Sequence, residues 1–576
     1  MDFYYGVNPI EKRIKLMESE AAKPFIDSII KDADDAVGKD FPALKMSDYN
    51  MFYENGNRII FEKGYFKKRR NCSNIMMAYW LTEDEKYLMP LVDYINYICD
   101  EYTWCLPAHS DLPERKPQSA VEHVDLFQAE TARLFAETVM CVGDKLPKYT
   151  LDRMHYEINR RIFPKFDRGE IITSFYYPAP ERDMKYFWEY RKMNWATVCS
   201  AGCVMAVLYF GNEEQKERHI KRLINCLDNY LEGIEDDGCC QEGMAYWRYG
   251  FEHFLIFAQA LKVYTKGETD YFKNPKVRKL ALFPQRVRMS ESKVISFSDG
   301  TEKYYFNIGP ISFLKSMYDE VILPDLKYGS IKGNVDSACE LLWFDENYKC
   351  GGVCKGFDYF ENANWYIAIK DNFSFAAKGG HNDEPHNHND VGSFMITVGE
   401  ETFLADLGCG EYVKETFMYD KRYSFIETSS RGHSVPIING EYQHEGTEYR
   451  AKNVRVDGNV FEMDMEDSYT KGIVERLNRR FEVKEDGVLL VDTLYPSKKT
   501  ESFVERFVSK LKPEICDGFV DYGVGQILFD KNKYNVSVGT EIFSEHNTGI
   551  KSTVYLVDFE ANDKSDKTYE FKLQVK

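Results

Sequence analysis

Histidine, amide and carboxylate side chains crowd into one short stretch of this sequence. Residues 379–394 read GGHNDEPHNHNDVGSF. His386 and His388 are two positions apart, so in an extended chain both side chains point to the same face. Asp406 follows on the return strand of the next predicted hairpin, and His433 lies beyond it in SSRGHSVP. Two imidazoles and a carboxylate are a common ligand set for zinc or manganese.

The predicted hairpin limits how these groups can meet. Folding the chain about residue 400 places Asp406 opposite residue 394, so residues 387–391 have to curl back before His388 can share an ion with it. Asn, Asp and Gly at positions 389, 390 and 392 favour such a turn. The alternative is a polar turn whose histidines cap backbone groups, and spacing alone gives the two interpretations about equal weight.

Two polar segments of the N-terminal half are further candidates. Asn194, in KMNWATVC, directly precedes an apolar stretch, where an N-cap is its simplest role. CCQEGMAYWRYG, residues 239–250, places Tyr246, Trp247 and Arg248 side by side. The simplest interpretation of this block is the start of a helix with aromatic packing.

A third segment mixes basic and aromatic side chains. Its cations are Arg182, Lys185, Arg191 and Lys192, and aromatic rings lie between them over residues 176–195. Rings that stack on a sugar and cations that meet a carboxylate or sulfate can together hold an anionic sugar. A solvated helix face is the more ordinary interpretation.

Helices are predicted to carry the first group of candidates. From about residue 10 to residue 320 the apolar residues follow the i, i+3, i+4, i+7 spacing. One example is the set Ile220, Leu223, Ile224, Leu227 and Leu231. The stretch from Trp195 to Phe210 is apolar nearly all round, which indicates a helix buried on every side. Many such helices predict a bundle, a solenoid or a toroid.

Strands are predicted to carry the histidine cluster. Residues 392–408 read as two strands joined at 398–401, and residues 480–495 repeat this pattern around 485–487. The C-terminal part is therefore most simply an antiparallel β-sandwich. We place the boundary near residue 325, which predicts an α+β multidomain chain with a helical domain over 1–325 and a β domain over 326–576.

The charge balance narrows the partners that the chain can have. Its 576 residues carry a formal net charge of −19 at pH 7. This argues against nucleic-acid and anionic-membrane binding, because both depend on a basic surface. Hydrophobic residues make up 44% of the sequence, which excludes global disorder.

The fourteen cysteines do not form the pattern of a disulfide framework. Most lie singly in apolar stretches, which is typical of reduced, buried thiols. Cys239-Cys240 and Cys350-x3-Cys354 could provide half of a zinc site, but no second pair has the matching spacing. The N-terminus lacks an apolar signal-peptide core, and residues 195–210 are too few to span a bilayer. We therefore expect a soluble, cytoplasmic protein.

Taken together, the motifs resemble those of the heparinase II/III-like polysaccharide lyases. They are MNW at 193–195, EGMAYWRYG at 242–250, HNHNDVGSF at 386–394, LADLG at 404–408 and SSRGHSVP at 429–436. HNHNDVGSF is quite specific, whereas the others are weak alone. Their order and their division between the two halves agree with the family over nearly the whole chain. The resemblance implies an N-terminal (α/α) toroid, a C-terminal antiparallel β-sandwich and action on uronic-acid polymers.

The resemblance also assigns roles to individual residues. Tyr246 becomes the catalytic tyrosine, His386 the catalytic histidine and Asn194 the residue that neutralises the substrate carboxylate. The implied ligands of a structural divalent metal are His388, Asp406 and His433, with zinc expected and manganese or calcium as alternatives. The expected substrate contacts are Arg248, Trp247, Glu384, His381 and Arg191.

This sequence departs from the family at one place. Some members carry a histidine beside the position of Asn194, where Met193 stands here. The carboxylate clamp is therefore expected to rest on Asn194 with help from His386 or an arginine. For the further tyrosine that the family offers from its sandwich, the candidates are Tyr412, Tyr419 and Tyr423.

The implied reaction is β-elimination, which removes the C5 proton of a uronate and leaves a C4=C5 double bond. If base and leaving group share a face of the ring, Tyr246 takes the proton as phenolate and returns one to O4. The pKa of Tyr246 must then be lowered, for which Arg248 or a nearby imidazolium is the candidate cause. If they lie on opposite faces, His386 is the base and Tyr246 the acid.

Two other functions stay open. An (α/α) toroid glycoside hydrolase would use two carboxylates, for which the candidates are Asp236, Asp237, Glu242 and Asp299. This hydrolase gives no reason for the HxH motif. A non-catalytic glycan-binding protein with a structural metal is the other alternative.

The substrate class can be narrowed but not fixed. Members of the group cleave heparan sulfate, chondroitin or hyaluronan, and alginate, and we favour a glycosaminoglycan. The negative net charge disfavours long polyanions at low salt, whereas Arg248 and the cations of residues 182–192 lie beside the motifs. We therefore expect short anionic oligosaccharides as substrates. The lack of a signal peptide suggests imported oligosaccharides and so favours exolytic cleavage, although endolytic cleavage stays open. The oligomeric state is also open, and a homo-oligomer is compatible with the sequence.

Overall fold

The computed structural model describes residues 3–109, 124–168, 187–333, 337–546, 549–563 and 567–576. The chain divides into two compact units. The first, which we call the helical unit, comprises Met1–Ile234, Trp247–Ala281 and Phe306–Gly351. The second, the β unit, comprises Glu235–Tyr246, Leu282–Tyr305 and Gly352–Lys576.

Helices make up most of the chain before residue 343. The α-helices are Pro9–Glu18, Lys23–Ala36, Met46–Asn55, Ile59–Thr82, Leu88–Cys99, Leu126–Val142, Lys148–Arg161, Phe163–Arg168, Asn194–Phe210, Glu213–Leu223, Asn225–Glu232, Met244–Tyr264, Pro275–Ala281, Phe283–Arg286, Ile308–Met317, Cys339–Leu342 and Tyr419–Arg422. Short 3-10 helices are Glu85–Tyr87, Pro107–His109, Phe187–Glu189, Tyr271–Lys273, Leu326–Tyr328, Lys414–Phe417, Ser430–Gly432 and Glu466–Ser468. None of the described helices is both long and apolar enough to cross a lipid bilayer.

The buried helix predicted from residue 195 is confirmed as Asn194–Phe210. Nearly all of its side chains are buried, and it packs along Leu126–Val142. The latter helix begins where the Asp125 carboxylate accepts the backbone N–H of Gln128 at 2.7 Å, an N-cap bond. Asn194 itself is the first helical residue, and Met193 occupies the N-cap position. The N-cap interpretation of Asn194 is therefore wrong.

The strands lie almost entirely after residue 355. They are β1 Phe306–Asn307, β2 Gly329–Ser330, β3 Gly356–Phe360, β4 Trp365–Ile369, β5 Ser374–Lys378, β6 His381–Asn382, β7 Phe394–Val398, β8 Glu401–Leu404, β9 Ile437–Ile438, β10 Gly446–Arg450, β11 Lys452–Asp457, β12 Val460–Asp464, β13 Val474–Val483, β14 Gly487–Pro496, β15 Phe503–Ser509, β16 Glu514–Cys516, β17 Phe519–Asp521, β18 Gly525–Leu528, β19 Tyr534–Ser544, β20 Lys551–Ala561 and β21 Thr568–Val575.

Three larger antiparallel sheets and one two-stranded antiparallel sheet, β6-β10, build the described part of the β unit. The strand orders of the larger sheets are β3-β4-β5-β7-β8, β11-β12-β13-β14-β21-β18-β17-β16 and β19-β20-β15-β9. Both predicted hairpins form, because Val398 pairs with Glu401 and Val483 pairs with Val488. Aromatic side chains fill the core, among them Phe375, Phe394, Phe481, Phe507, Phe559 and Phe571. The expected order of a helical part followed by antiparallel sheets is confirmed.

Two early segments of the chain belong to the β unit. Residues 282–305 form two short antiparallel bridges among themselves, and they contact the rest of the β unit where the backbone N–H of Cys409 donates to Gly300 O at 2.8 Å. Residues 235–246 are the other segment, and the helical unit in turn continues to Gly351, past residue 325. These two segments bring Tyr246 and Asp299 into the unit that carries the histidine motif.

Candidate active site

A tyrosine and a histidine meet within the β unit. Tyr246 lies in the first turn of the helix Met244–Tyr264, and His386 lies in the loop between β6 and β7. Tyr246 Oη is 3.4 Å from His386 Nδ1, and the two ring centroids are 4.5 Å apart. The two residues that the resemblance names as catalytic tyrosine and catalytic histidine are therefore neighbours.

A buried carboxylate, Asp299, binds four side chains around this pair. Its Oδ2 accepts from His386 Nδ1 and from Tyr412 Oη, both at 2.7 Å. Its Oδ1 accepts from His388 Nε2 at 3.0 Å and from Arg422 Nη2 at 3.3 Å. The sequence offered Asp299 only as a carboxylate for the alternative hydrolase, and the SFSDG segment around it carried no signal of this role.

Tyr412 is the sandwich tyrosine that joins the pair. Its Oη lies 2.9 Å from Tyr246 Oη. Since Tyr412 donates its own proton to the Asp299 carboxylate, its oxygen accepts the proton of Tyr246. Tyr423 instead donates to Asn387 Oδ1 at 2.9 Å, and the side chain of Tyr419 lies outside what the structure describes.

The surroundings of Tyr246 favour its neutral form. Burial raises the pKa of Tyr246 well above its usual value, and the carboxylates of Asp299 and Glu242 raise it further. The lowered pKa that a tyrosine base would need is therefore not found at Tyr246. The Arg248 guanidinium belongs to the helical unit, where it donates to the carbonyl of Lys332 at 2.6 Å.

Asp299, in contrast, is held as a carboxylate. Burial opposes its ionisation, but the hydrogen bonds from His386 and His388 and the positive charge of Arg422 outweigh burial. The pKa of Asp299 therefore lies well below its usual range. A carboxylate can only accept hydrogen bonds, so it fixes the direction of every bond that it makes here.

The backbone on both sides of the Asp299–His386 bond is strained. His386 has a φ of 55° and Ser298 a φ of 58°. Such left-handed residues cost on the order of 1–3 kcal/mol each unless they are Gly, and they persist where the surrounding structure holds them. The loop is held where the backbone N–H of Asn387 donates to Glu384 O at 3.0 Å and where Arg422 Nη2 donates to Asn387 O at 3.1 Å.

Buried metal-ligand atoms lie next to this site. Among the described residues, one group of three has ligand atoms within 4.8 Å of one another, and its members are His388, Asp390 and His433. His388 uses Nε2 to bond Asp299, so its Nδ1 lone pair is free, and that buried atom has no hydrogen-bond partner within the described ranges. His433 likewise donates Nε2 to Glu427 O at 2.8 Å, which leaves its Nδ1 lone pair 3.1 Å from Asp406 Oδ2.

These donors fit a divalent metal. A lone pair and a carboxylate that face each other repel unless a proton or a cation lies between them. Two imidazole nitrogens and a carboxylate form a ligand set that zinc accepts. The structure adds Asp390 as a second candidate carboxylate, besides the expected Asp406. Asp390 also forms an ion pair, in which Lys378 Nζ lies 2.8 Å from its Oδ1. In the HNHND motif Asp390 lies two residues after His388, and this spacing could have suggested Asp390 as a metal ligand.

Two of the expected substrate contacts have internal partners in the β unit. Glu384 is buried, and Lys378 Nζ donates to its Oε2 at 3.1 Å. This ion pair gives Glu384 a structural role that differs from the predicted contact with substrate. His381 is half-buried, and its Nδ1 accepts from the backbone of Asp383 at 3.2 Å.

The other expected substrate contacts lie in the helical unit, as does Asn194. Trp247 is 2% exposed, and its indole donates to Leu280 O at 2.9 Å. This burial makes Trp247 a packing residue, in contrast to the prediction. Arg191 is exposed and Asn194 is half-buried. Arg182 and Lys185 lie outside the described residues.

Two carboxylates proposed for the hydrolase alternative are already engaged in structural bonds. Asp237 accepts the backbone N–H groups of Cys239 at 3.0 Å and Asn362 at 2.9 Å. Asp299 is engaged by the four side chains described above. A hydrolytic pair would need both carboxyl groups to face the glycosidic bond, so Asp237 and Asp299 do not form such a pair.

Comparison with known proteins agrees with the motif assignment. Residues 354–560 match the family model of the heparinase II/III-like C-terminal domain. This range contains the histidine motif, Asp406, Tyr412 and His433. No curated protein sequence matches the chain.

Solved structures share the fold over most of the chain. A heparinase III structure has a TM-score of 0.60 at 14% identity and covers 89% of this chain and 78% of its own. The heparan sulfate lyase of Pedobacter heparinus has a TM-score of 0.58 at 12% identity, with coverages of 96% and 88%. A chondroitin AC lyase from Streptomyces coelicolor A3, in complex with chondroitin sulphate, has a TM-score of 0.56 at 8% identity, with coverages of 98% and 82%. Residues 354–560 thus match the heparinase II/III-like C-terminal domain, and the chain shares its fold with these solved lyase structures.

Proposed function

We propose that this protein is a polysaccharide lyase that cleaves uronic-acid-containing glycans by β-elimination, with glycosaminoglycans favoured over alginate. The observation that carries the proposal is the contact of Tyr246 with His386, with Tyr412 and Asp299 bonded to the pair. The match of residues 354–560 to the heparinase II/III-like C-terminal domain supports it, as do structural neighbours named as lyases of heparan sulfate and chondroitin.

In this proposal His386 is the base. Its Nδ1 is bonded to Asp299, whereas its Nε2 has no hydrogen-bond partner among the residues that the structure describes, and its side chain is 27% exposed. Nε2 takes the C5 proton of the uronate, and the electron pair of the C5–H bond forms the C4=C5 double bond. The C4–O4 bond then breaks with its electrons on O4.

Tyr246 is the acid that protonates the leaving O4. Its raised pKa keeps the phenol neutral before the reaction, as a general acid requires. The step leaves a phenolate and an imidazolium. Once the product has left, Nε2 of the imidazolium releases its proton to solvent and the phenolate takes a proton from solvent, which restores both groups. This order of events suits a substrate whose base and leaving group lie on opposite faces of the ring.

The substrate carboxylate needs a partner that offsets the charge developing at C5. The resemblance gives this role to Asn194, whose amide can donate two hydrogen bonds. Asn194 begins the helix Asn194–Phe210 and is half-buried.

The proposed metal is structural. Its ligands would be His388 and His433, with Asp390, Asp406 or both. Bonds to the metal would connect the loop that carries His386 to the segments of Asp406 and His433. The base and the acid of the proposed reaction are both side chains of this protein.

A screen of uronate glycans tests the proposal. Heparan sulfate, chondroitin, hyaluronan and alginate oligosaccharides are incubated with the purified protein, and ultraviolet absorbance of the new double bond is measured beside new reducing ends. We expect one double bond for each new reducing end with at least one substrate. Reducing ends without absorbance would indicate the hydrolase, and binding without cleavage would indicate the glycan-binding alternative.

A further inference from the structure

We propose that Asp299 is a positioning residue that determines which ring nitrogen of His386 faces the substrate. The inference rests on the proposed lyase function for its catalytic meaning. Asp299 reaches the reacting atoms only through His386 and Tyr412, so it does not itself act as the acid or the base.

The first step of the argument is the direction of one hydrogen bond. His386 Nδ1 lies 2.7 Å from Asp299 Oδ2, and a carboxylate only accepts. The neutral imidazole therefore carries its single proton on Nδ1. Its lone pair is then on Nε2, the nitrogen that has no bonding partner in the described part of the chain.

The second step is that the Asp299 carboxylate cannot turn away. Tyr412 donates to Oδ2 at 2.7 Å, His388 Nε2 donates to Oδ1 at 3.0 Å, and Arg422 Nη2 lies 3.3 Å from Oδ1. Both oxygens are thus held from more than one side, and Asp299 is only 3% exposed. A carboxylate fixed on both oxygens keeps the Nδ1 bond in place while the base changes its protonation state.

The third step is the strain on either side of this bond. Ser298 and His386 both have positive φ values, which non-glycine residues adopt where other contacts compensate. The Asp299–His386 bond joins these two strained segments. Its loss would let the His386 ring turn as well as change its tautomer.

The consequence for the reaction follows from the chemistry of the base. With the proton on Nδ1, Nε2 can accept the C5 proton. With the proton on Nε2, the same ring would present an N–H to the C5–H and could not accept it. Loss of an orienting carboxylate behind a catalytic histidine through Asp→Asn lowers kcat by about 10⁴-fold in serine proteases.

The wild-type protein provides a test that does not depend on any variant. Two-dimensional ¹⁵N–¹H spectra of histidine-labelled protein, recorded where His386 is neutral and assigned with a His386→Gln sample, report which ring nitrogen carries the proton. We expect the Nδ1–H form. An Nε2–H form would overturn the inference, whether or not the protein is active.

Kinetics of Asp299→Asn give the second test. We expect kcat to fall by about 10²–10⁴-fold with KM changed by less than about threefold, and the His386 signal to move toward the Nε2–H form. The matched control is Glu302→Gln in the same segment, because Glu302 pairs with Lys293 and Lys510. The control should keep kcat within about twofold, since the ionised partners of Glu302 contact no residue of the site.

The two proposals fail separately. An Asp299→Asn variant that is folded and keeps the wild-type kcat would overturn the positioning role while leaving the lyase function intact. A wild-type protein that shows Nδ1–H at His386 but forms no double bond with any uronate glycan would overturn the lyase function and support the tautomer assignment.

Discussion

Tyr246 is the residue whose hydroxyl the proposed reaction needs most directly. Tyr246→Phe removes the proton donor for O4 and keeps the ring that lies against His386. We expect kcat to fall by about 10²–10⁴-fold, with substrate binding retained. Double-bond absorbance measures kcat, and calorimetric titration with an oligosaccharide measures substrate binding.

The matched control for this substitution is Tyr359→Phe. Tyr359 lies in the same unit and donates to Asn364 Oδ1 at 2.8 Å, so its loss removes an equivalent hydrogen bond away from the site. Comparable kcat values for Tyr246→Phe and the wild type would contradict the acid role and favour the glycan-binding alternative.

At the scale of residues, the sequence predicts what a local motif contains. HNHND and AYWRYG identified His386, His388 and Tyr246, whose proximity the structure confirms. Asp299 could not be assigned in this way, because its role depends on the tertiary placement of residues 282–305 in the β unit. Burial also lies beyond motif analysis, which is why Trp247 and Glu384 were predicted to meet substrate although they have internal partners.

At the scale of elements, we predict that one metal ion connects three separate segments of the chain. These are residues 386–390 and the segments of Asp406 and His433. We expect about one divalent ion per chain by elemental analysis, with zinc the expected metal. His433→Ala should lose the ion and lower the unfolding temperature, because the buried cross-link is gone. His444→Ala is the control, since His444 bonds Glu441 and Thr470 outside the cluster.

Two further variants decide which carboxylate is the ligand. Asp406→Asn should abolish metal binding if the family assignment holds, and Asp390→Asn should do so if the cluster seen in the structure is the binding site. Retention of the ion in both variants, or its absence from the wild type, would contradict the metal proposal.

The segment after β8 depends on a glycine. Gly408 has a φ of 65°, and a Cβ there would lie 2.3 Å from the carbonyl oxygen of Gly300. Gly408→Ala should therefore lower the free energy of unfolding by at least about 3 kcal/mol, as measured by chemical denaturation of the whole chain.

Gly399→Ala provides the matched control for this prediction. Gly399 also has a positive φ, 59°, but a Cβ there meets nothing within 4 Å among the described atoms. Gly399→Ala should therefore lower the free energy of unfolding only by the cost of a left-handed backbone at a non-glycine residue, about 1–2 kcal/mol. Equal losses in the two variants would show that the close approach of residues 408 and 300 is unimportant.

Elements with a strong local period were predictable from sequence. The helix Asn194–Phe210 and the hairpins β7–β8 and β13–β14 follow the expected spacing. The placement of residues 235–246 and 282–305 in the β unit was not predictable. These two segments contain no long run of apolar residues with the helical or the strand period. Tertiary contacts determine where such segments belong, and a one-dimensional pattern does not contain them.

At the scale of the whole molecule, the net charge of −19 leads to a prediction about substrate length. Long-range repulsion between like charges extends about 30 Å at 0.01 M salt and about 8 Å at 0.15 M. We expect the ratio of kcat/KM for a long polyanion to that for a short oligosaccharide to rise several-fold over this range. Absorbance assays of both substrates in one salt series measure it, and a constant or falling ratio would contradict it.

The shared fold and the sequence identity give very different measures of similarity to the solved lyase structures. The solved structures are only 8–14% identical to the chain, yet they cover 89–98% of it. The hydrophobic pattern that specifies helices and sheets tolerates many substitutions. Side chains that share a proton or a metal need a fixed spacing, so a short motif can indicate a family even where overall identity is low.

The helix Met244–Tyr264 has Tyr246 as the last residue of a β-unit segment and Trp247 as the first residue of a helical-unit segment. Asp299 also precedes the region of 354–560 that matches the family domain. A fragment expressed from residue 352 onward would therefore contain His386, His388 and Tyr412 but neither the proposed acid nor the proposed orienting carboxylate. For gene fusion and for evolution alike, exchange of the C-terminal piece alone would not transfer the proposed chemistry, because residues 235–246 and 282–305 have to be inherited with it.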